Sequence, residues 1–203
     1  MAVVIPYVPG GQWNATEVWS HARTDTTWVD VSGDVWAYPD LLAEKWRAGD
    51  TFVVVEQDVV PWPGAVEALL DCDQPWCAYG YLPPDVNNGR TTKGDRTIPF
   101  GCVKFSDQFI GMLPAAWTVM RGWAEEYIGS RPPWSMCDAY LEVYAGEHNI
   151  ACHQHFPSVF ELNTHTSYPT RCMTPSLRNY LVGRGVDLSE VGGQSMSLDL
   201  ERI

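Results

Sequence analysis

The sequence predicts one α/β domain of Rossmann-like type, with a mostly parallel central sheet flanked by helices. The first observation is Phe52–Val55, a continuous run of Phe and Val that follows a Gly-Asp turn. Such a run is typical of a strand buried on both faces of a parallel sheet. The second is the alternation of strand and helix patterns before it. The third is the length of 203 residues, with no linker-like stretch, which suits a single domain.

The elements before the central strand follow the order β, α, β, α. Each is bounded by residues that start or stop regular structure: a Pro-Gly-Gly turn, an Asn able to cap a helix, a Ser-Gly turn and a Pro near a helix start. The predicted elements are a strand over Ala2–Val8, a helix over Asn14–Ala22, a strand over Thr26–Val31 and a helix over Tyr38–Ala48.

The pattern continues after the central strand with helices and further short strands. We expect helices over Ala65–Leu70, Leu113–Arg121 and Trp134–Gly146, and strands over Pro75–Leu82 and Gly101–Phe105. The polar segment Pro83–Pro99 is predicted to be a surface loop. His153 and His155 alternate on a further strand and share one face of it.

Composition excludes several functional classes. The formal net charge is -12 and the pI about 4.6, which disfavours nucleic acid and anionic membranes as partners. We expect no membrane span and no signal peptide, and hence a cytoplasmic protein. The six cysteines include no C-x-x-C pair, so neither a zinc ribbon nor a dithiol redox motif is indicated. No glycine-rich dinucleotide or P-loop motif occurs.

Two carboxylates follow the central strand, at the edge of the sheet where ligands of open α/β folds bind. Because side chains repeat every two residues along a strand, Glu56 and Asp58 are expected to face one side and Gln57 the other. Two carboxylates on one side can bind a hard divalent cation. Acidic residues also end strands and cap helices for purely structural reasons, so a bare E-x-D is not specific.

The whole segment VVVEQDVVPWPGAVEALL resembles the metal-binding segment of GT-A type glycosyltransferases, in particular small family-2-like enzymes. In that family a hydrophobic strand ends in D-x-D or a variant, followed by a proline-containing turn and a helix. The resemblance implies a GT-A domain in which Glu56 and Asp58 hold Mn2+ or Mg2+ against the diphosphate of a nucleotide-sugar. Glu56 departs from the commoner Asp.

The resemblance also implies a nucleotide site around the first strands. Pro6, Tyr7 and Val8 occupy the place of the proline-containing segment that lines this site, and Gln57 is assigned to it as well. An acidic residue at the end of the second strand often contacts the base or ribose, which points to Asp30, with Asp34 as its rival. A turn aspartate before Ser32-Gly33 is the structural alternative for Asp30.

The remaining roles fall on the second half of the chain. In W-x-x-x-D-x-x-L, Asp138 falls in the first helical turn and resembles the general base of inverting GT-A enzymes, although a charge at a helix N-terminus is stabilising by itself. The family often supplies a C-terminal histidine to the cation. His165, after Pro157 and a β-rich stretch, fits that order best, and His155 second.

The sequence thus predicts a metal-dependent glycosyltransferase that moves a sugar from a nucleotide-sugar, with a UDP-sugar favoured, to a hydroxyl of an acceptor protein or glycan. Residues 1–70 form the nucleotide and metal half, 71–165 the acceptor half and 166–203 a tail on or near the site. The alternatives are a metal-dependent phosphoesterase or nucleotidyltransferase, and a non-catalytic carbohydrate-binding protein.

Overall fold

The computed structural model describes residues 2–9, 25–57, 59–79, 100–127, 133–155 and 164–165. Within these ranges strands and helices alternate as expected of an α/β fold. The strands are β1 (Ala2–Tyr7), β2 (Thr26–Asp30), β3 (Phe52–Val55), β4 (Val59–Val60), β5 (Trp76–Tyr79), β6 (Cys102–Phe105), β7 (His153–His155) and β8 (Thr164–His165). The helices are α1 (Ala37–Ala48), α2 (Ala65–Asp71), α3 (Asp107–Met112), α4 (Ala116–Tyr127) and α5 (Cys137–Glu147), with a 3-10 turn over Pro133–Met136 before α5.

Six strands form the central sheet in the order β2-β1-β3-β6-β5-β7. Strand β6 is antiparallel to both of its neighbours, and the other pairings are parallel. Five strands therefore run in one direction, which confirms the mostly parallel α/β sheet. Strand β3 is central and buried as predicted, but one of its neighbours is antiparallel. A separate two-stranded sheet pairs β4 with β8.

Both faces of the sheet are covered, which explains the unbroken apolar sequence of β3. Phe52 and Val54 face a large core that includes buried side chains of α1, α3, α4 and α5. Val53 and Val55 face a smaller core against α2, with Leu69 fully buried there. No residue of β3 is more than 2% exposed. The strand is therefore packed on both faces and hydrogen-bonded to a neighbouring strand along each edge.

The helix predicted over Leu113–Arg121 is wrong at its start. Helix α3 ends at Met112, Leu113 adopts φ -127° and ψ 54°, and α4 begins at Ala116. The reason is Pro114, because a proline disfavours the helical conformation of the residue before it. The predicted helix over Asn14–Ala22, the predicted loop over Pro83–Pro99 and the tail after residue 165 lie outside the described residues.

Glycines set the boundaries of two helices. Gly49 ends α1 in the left-handed conformation at φ 78°, and Gly64 precedes α2 at φ 85°. Both positions favour glycine because other L-residues are strained there. In the ranges described, no helix combines the length and apolar character needed to cross a membrane.

Trp46 ties α1 to the break between α3 and α4. Its Nε1 donates a hydrogen bond to the carbonyl oxygen of Leu113 at 2.8 Å, and its ring packs edge-on against Phe105, Phe109 and Trp117. Trp46 is 4% exposed. The α1 face of the sheet is therefore centred on this side chain.

We predict that Trp46→Phe lowers the free energy of unfolding by about 2 to 4 kcal/mol, because it removes the hydrogen bond and leaves a cavity. Urea denaturation of the free protein measures the change. The matched control is Trp134→Phe, which removes the same atoms at a position that is 53% exposed and should change stability by less than about 0.5 kcal/mol. Equal losses for the two variants would contradict the central role of Trp46.

Candidate functional site

Glu56 lies directly after the buried strand β3, and the chain turns there. Its backbone N–H donates to Gly101 O at 3.0 Å, and its carbonyl accepts from the N–H of Val59 at 3.0 Å. Strand geometry ends at Val55, so the expectation that Glu56 and Gln57 point to opposite sides is wrong: both line the same cavity. The alternation argument therefore does not extend to Asp58, which lies outside the described residues.

Tyr38 holds the Glu56 carboxylate from helix α1. Its hydroxyl donates to Oε1 of Glu56 at 3.1 Å, and its side chain is 8% exposed. Burial, followed by the negative charge of Glu56, raises the pKa of Tyr38 well above its ordinary value of 10.0. Tyr38 therefore keeps its proton and remains a hydrogen-bond donor to the carboxylate at every physiological pH.

Gln57 joins the ends of two parallel strands. Its Oε1 accepts a hydrogen bond from the backbone N–H of Val8 at 2.7 Å, although the two residues are far apart in sequence. Val8 follows β1 and Gln57 follows β3, and these strands are paired. The side chain thus fixes the loop after β1 beside the acidic turn.

These residues surround a cavity of about 590 Å³ at the carboxyl ends of β1 and β3. Four of the five residues predicted to bind nucleotide lie in its wall, together with Glu56. The lining residues are Pro6, Tyr7, Val8, Val31, Ser32, Asp34, Val35, Tyr38, Glu56, Gln57 and Trp134. A cleft of this volume lies within the usual range for small-molecule sites, about 300 to 1,000 Å³.

The fifth, Asp30, is placed differently from its rival Asp34. Asp30 ends β2, is exposed, and its Oδ1 accepts from the N–H of Ser32 at 2.8 Å, as a turn aspartate does. Asp34 lies in the cavity wall, where its Oδ1 accepts from the N–H of Trp36. The structure thus brings Asp34, rather than Asp30, to the cavity.

Asp138 occupies the first turn of α5, as the sequence predicted. Burial raises its pKa above the ordinary value of 3.8, more than the hydrogen bonds from backbone N–H groups lower it. Its charge and that of Glu56 both act on Tyr38 and on Cys137. Asp138 is not among the wall residues of the cavity, but its charge acts on Tyr38, which is.

The three histidines from residue 153 onwards separate into two groups. His165 lies on β8, and its backbone is paired with Val59, three residues after Glu56. His153 and His155 lie on the edge strand β7, three strands away from β3. Three inter-strand steps amount to about 14 Å, so His155, the second choice for the metal, lies too far from Glu56 to share an ion with it.

The sequence analysis did not assign five residues of the cavity wall to the site, and the two with the largest side chains are Tyr38 and Trp134. Trp134 is 53% exposed although tryptophan is usually mostly buried. Its place in a short turn after two prolines was the available signal, because such a turn can hold a large ring at the surface. Nothing in the local sequence of Tyr38 shows its bond to Glu56, since the two residues meet only through packing of α1 on the sheet.

No protein-family model matches the chain, and no curated protein sequence matches it. Several solved structures do match the chain. The glycosyltransferase GlyE of Streptococcus pneumoniae TIGR4 is 8% identical, with a TM-score of 0.54 over 92% of this chain and 60% of that chain. A glycosyltransferase involved in the glycosylation of the major capsid of PBCV-1 is 12% identical, with a TM-score of 0.49 over 91% of this chain and 98% of that chain. A197 from STIV is 14% identical, with a TM-score of 0.38 over 55% and 68%.

Of these three, the likeness to GlyE has a TM-score above 0.5. At such low identity it shows a shared fold. This chain has a glycosyltransferase-like fold. It spans 60% of the length of GlyE, so the activity of that protein is not carried over with the fold.

The raised pKa of Asp138 predicts how stability depends on pH. A carboxyl group whose pKa is higher in the folded state costs stability when it ionises, and this cost disappears as the pH falls below its ordinary value. Asp138→Asn should therefore raise the free energy of unfolding near pH 7, and the gain should vanish towards about pH 4. Chemical denaturation at a series of pH values measures it.

Asp30→Asn is the control of opposite sign. Hydrogen bonds from Ser32 lower the pKa of Asp30, so its ionised form stabilises the fold above its ordinary pKa, and that contribution is lost as the pH falls through the folded value. The Asp30 variant should be less stable at neutral pH, with the difference fading in acid. A loss of stability at neutral pH for Asp138→Asn would show that the helix dipole outweighs burial.

Proposed function

We propose that this protein is a metal-dependent glycosyltransferase of the GT-A type, which transfers a sugar from a nucleotide-sugar to a hydroxyl acceptor. The observation that carries the proposal is the cavity at the carboxyl ends of β1 and β3, with the Glu56 carboxylate held in its wall by Tyr38. Ligands of open α/β sheets bind at this edge. The glycosyltransferase-like fold supports the same reaction class at the level of architecture.

The cavity suits a nucleoside diphosphate better than a simple phosphate ester. Its wall combines apolar surface from Pro6, Val8 and Val35 with polar groups from Ser32 and Asp34. The exposed ring of Trp134 offers a flat face on which a base or a sugar can stack. A UDP-sugar is the favoured donor, and Asp34 replaces Asp30 as our candidate for contact with its ribose or base.

The side chains at the acidic turn fit Mn2+ or Mg2+. Such ions prefer carboxylate oxygens, and an ionised carboxylate has about four lone-pair sites, so the bond from Tyr38 is compatible with an ion at Glu56. Asp58 and His165 are the further proposed ligands, since β8 is paired beside the turn at Val59. Such an ion, when bound, neutralises negative charge on a leaving diphosphate.

Asp138 is proposed as the general base. Burial raises its pKa, which brings a carboxylate closer to the value at which proton acceptance is efficient near neutral pH. As the acceptor oxygen bonds to the anomeric carbon and the bond to the diphosphate breaks, the hydroxyl proton passes to the Asp138 carboxylate. Attack from the face opposite the diphosphate inverts the anomeric configuration.

The experiment is release of nucleoside diphosphate from UDP-, GDP- and dTDP-sugars with Mn2+, together with calorimetry of donor binding. A phosphoesterase would release phosphate or nucleoside monophosphate instead. A carbohydrate-binding protein would release nothing. Either of those results, obtained for every donor that binds, would contradict the proposal.

Two variants separate binding from chemistry. We expect Glu56→Gln to weaken Mn2+-dependent donor binding, because the amide is a poorer ligand. Asp138→Asn should lower turnover by about 100 to 10,000-fold with donor affinity nearly unchanged, because it removes general-base assistance. Glu44→Gln is the control, since Glu44 lies exposed on α1 with only a weak ion pair to Lys45. Near-normal turnover of Asp138→Asn would exclude it as the base.

A further inference from the structure

A second group of metal-ligating side chains lies on the other side of the sheet from α1, between α2 and the edge strand β7. The Sγ atoms of Cys72 and Cys77 and a ring nitrogen of His155 all lie within 4.8 Å of one another. The Sγ of Cys72 is 3.4 Å from Nδ1 of His153. The rings of His153 and His155 have their centroids 4.6 Å apart. Two thiols and one imidazole thus lie close together, and the second imidazole, His153, adjoins both Cys72 and His155.

The fold places these four side chains together through three elements. Cys72 caps the C-terminus of α2, and Cys77 lies on β5 in the core that α2 covers. Strands β5 and β7 are parallel, with Cys77 opposite His153 and Tyr79 opposite His155. Residues opposite each other and residues two apart share a face of a sheet, so Cys77, His153 and His155 all face α2.

We propose that Cys72, Cys77, His153 and His155 form a zinc site, separate from the cavity at Glu56. Thiolate and imidazole are the usual donors to structural zinc, in sets such as Cys2His2. Zinc-ligand bonds of about 2.0 to 2.3 Å place the donor atoms of a tetrahedron about 3.3 to 3.8 Å apart. The Cys72–His153 pair has this spacing, and the donor atoms of Cys72, Cys77 and His155, which lie within 4.8 Å of one another, would move closer together around one ion.

The buried nitrogen of His155 points to a ligand independently of these distances. Nε2 of His155 is buried and has no hydrogen-bond partner in the part of the chain that the structure describes. Its ring stacks on Tyr79 at a centroid distance of 6.0 Å, which supplies no acceptor or donor. Buried polar groups in proteins nearly always have a partner. A metal ion bound to the imidazole of His155 would fix this ring.

The charges around the group also suit zinc. Two thiolates carry two negative charges, which balance a divalent cation, so binding by two thiols and two neutral imidazoles releases two thiol protons and leaves a neutral centre. Lys104 is buried on β6 and donates a hydrogen bond to the carbonyl oxygen of Cys72, which fixes the backbone of this residue at the end of α2.

The proposed ion would have a structural role. With all four positions filled by protein, the site is closed, as in structural rather than catalytic zinc centres. It would fasten the three-residue strand β7 to the end of α2 and to β5. Edge strands as short as β7 have few hydrogen bonds to hold them. The thiolate and imidazole donors also bind zinc at a place separate from the oxygen ligands proposed at Glu56.

The test uses the full-length, tag-free protein, reduced and freed of metal with a chelator, then titrated with Zn2+ or Co2+. We expect one Zn2+ per chain, a higher melting temperature, and for Co2+ the intense absorption bands of a tetrahedral thiolate complex. Cys72→Ser and His155→Gln should each lower zinc affinity at least tenfold and weaken the Co2+ bands. Cys72 and His155 are only partly buried, and circular dichroism of the metal-free variants checks that they fold.

His148→Gln is the matched control, because His148 lies exposed at the end of α5 and is bonded to Tyr144 O. It should leave zinc binding unchanged. Glu56→Gln should also leave it unchanged, which distinguishes this site from the proposed transferase site. The proposal is overturned if Co2+ gives no thiolate bands, if the Cys72 and His155 variants bind Zn2+ like the wild type, or if intact mass reveals a Cys72–Cys77 disulfide in the purified protein.

Discussion

The position of Glu56 depends on the burial of the strand before it. Phe52–Val55 is hydrogen-bonded to β1 on one side and β6 on the other, and is covered on both faces by helices. A strand held in this way cannot shift without exposing apolar side chains or breaking ladder hydrogen bonds. The carboxylate at its end is therefore presented at a fixed point, and the bond from Tyr38 sets its orientation.

The same sheet separates two kinds of ligand chemistry. Oxygen donors lie at the carboxyl end of β3, where the cavity opens. Sulfur and imidazole donors lie on the face covered by α2, near the edge strand β7. Strands β3 and β5 are separated by β6, and β7 lies one strand further out. Because hard ions prefer oxygen and zinc prefers thiolate and imidazole, each proposed site selects its own metal.

Sequence patterns predicted the elements whose formation depends on residues close together in the chain. The strand β3, the helix α1 and the place of Asp138 in the first turn of α5 follow from hydrophobic periodicity and from residues that start helices. The errors arose where a single residue overrode the pattern. Pro114 delayed the start of the helix expected from Leu113 until Ala116, and the turn at Glu56 ended the strand alternation before Gln57.

Contacts between residues that are far apart in the chain could not be predicted from the sequence patterns. Tyr38 meets Glu56 only because α1 packs on the sheet, and Cys72 meets His153 across 81 residues of sequence because β7 pairs with β5. A search for C-x-x-C pairs does not find Cys72 and Cys77, because they are five residues apart. Cys72 lies at the end of α2, and Cys77 lies on β5. The placement of Asp34 rather than Asp30 at the cavity likewise depends on how the chain turns after β2.

The central claim is that a nucleotide and a hard metal ion bind together in the cavity beside Glu56. It is tested most directly by fluorine NMR of protein labelled with 5-fluorotryptophan, in which Trp134→Phe assigns the resonance of Trp134 among the ten tryptophans. The protein is first saturated with Zn2+, so that Mn2+ cannot occupy thiol ligands. Adding UDP with Mn2+ should broaden the Trp134 resonance, whereas UDP with Mg2+ should only shift it, because Mn2+ is paramagnetic. A Trp134 resonance that stays sharp while UDP and Mn2+ bind elsewhere would contradict the account.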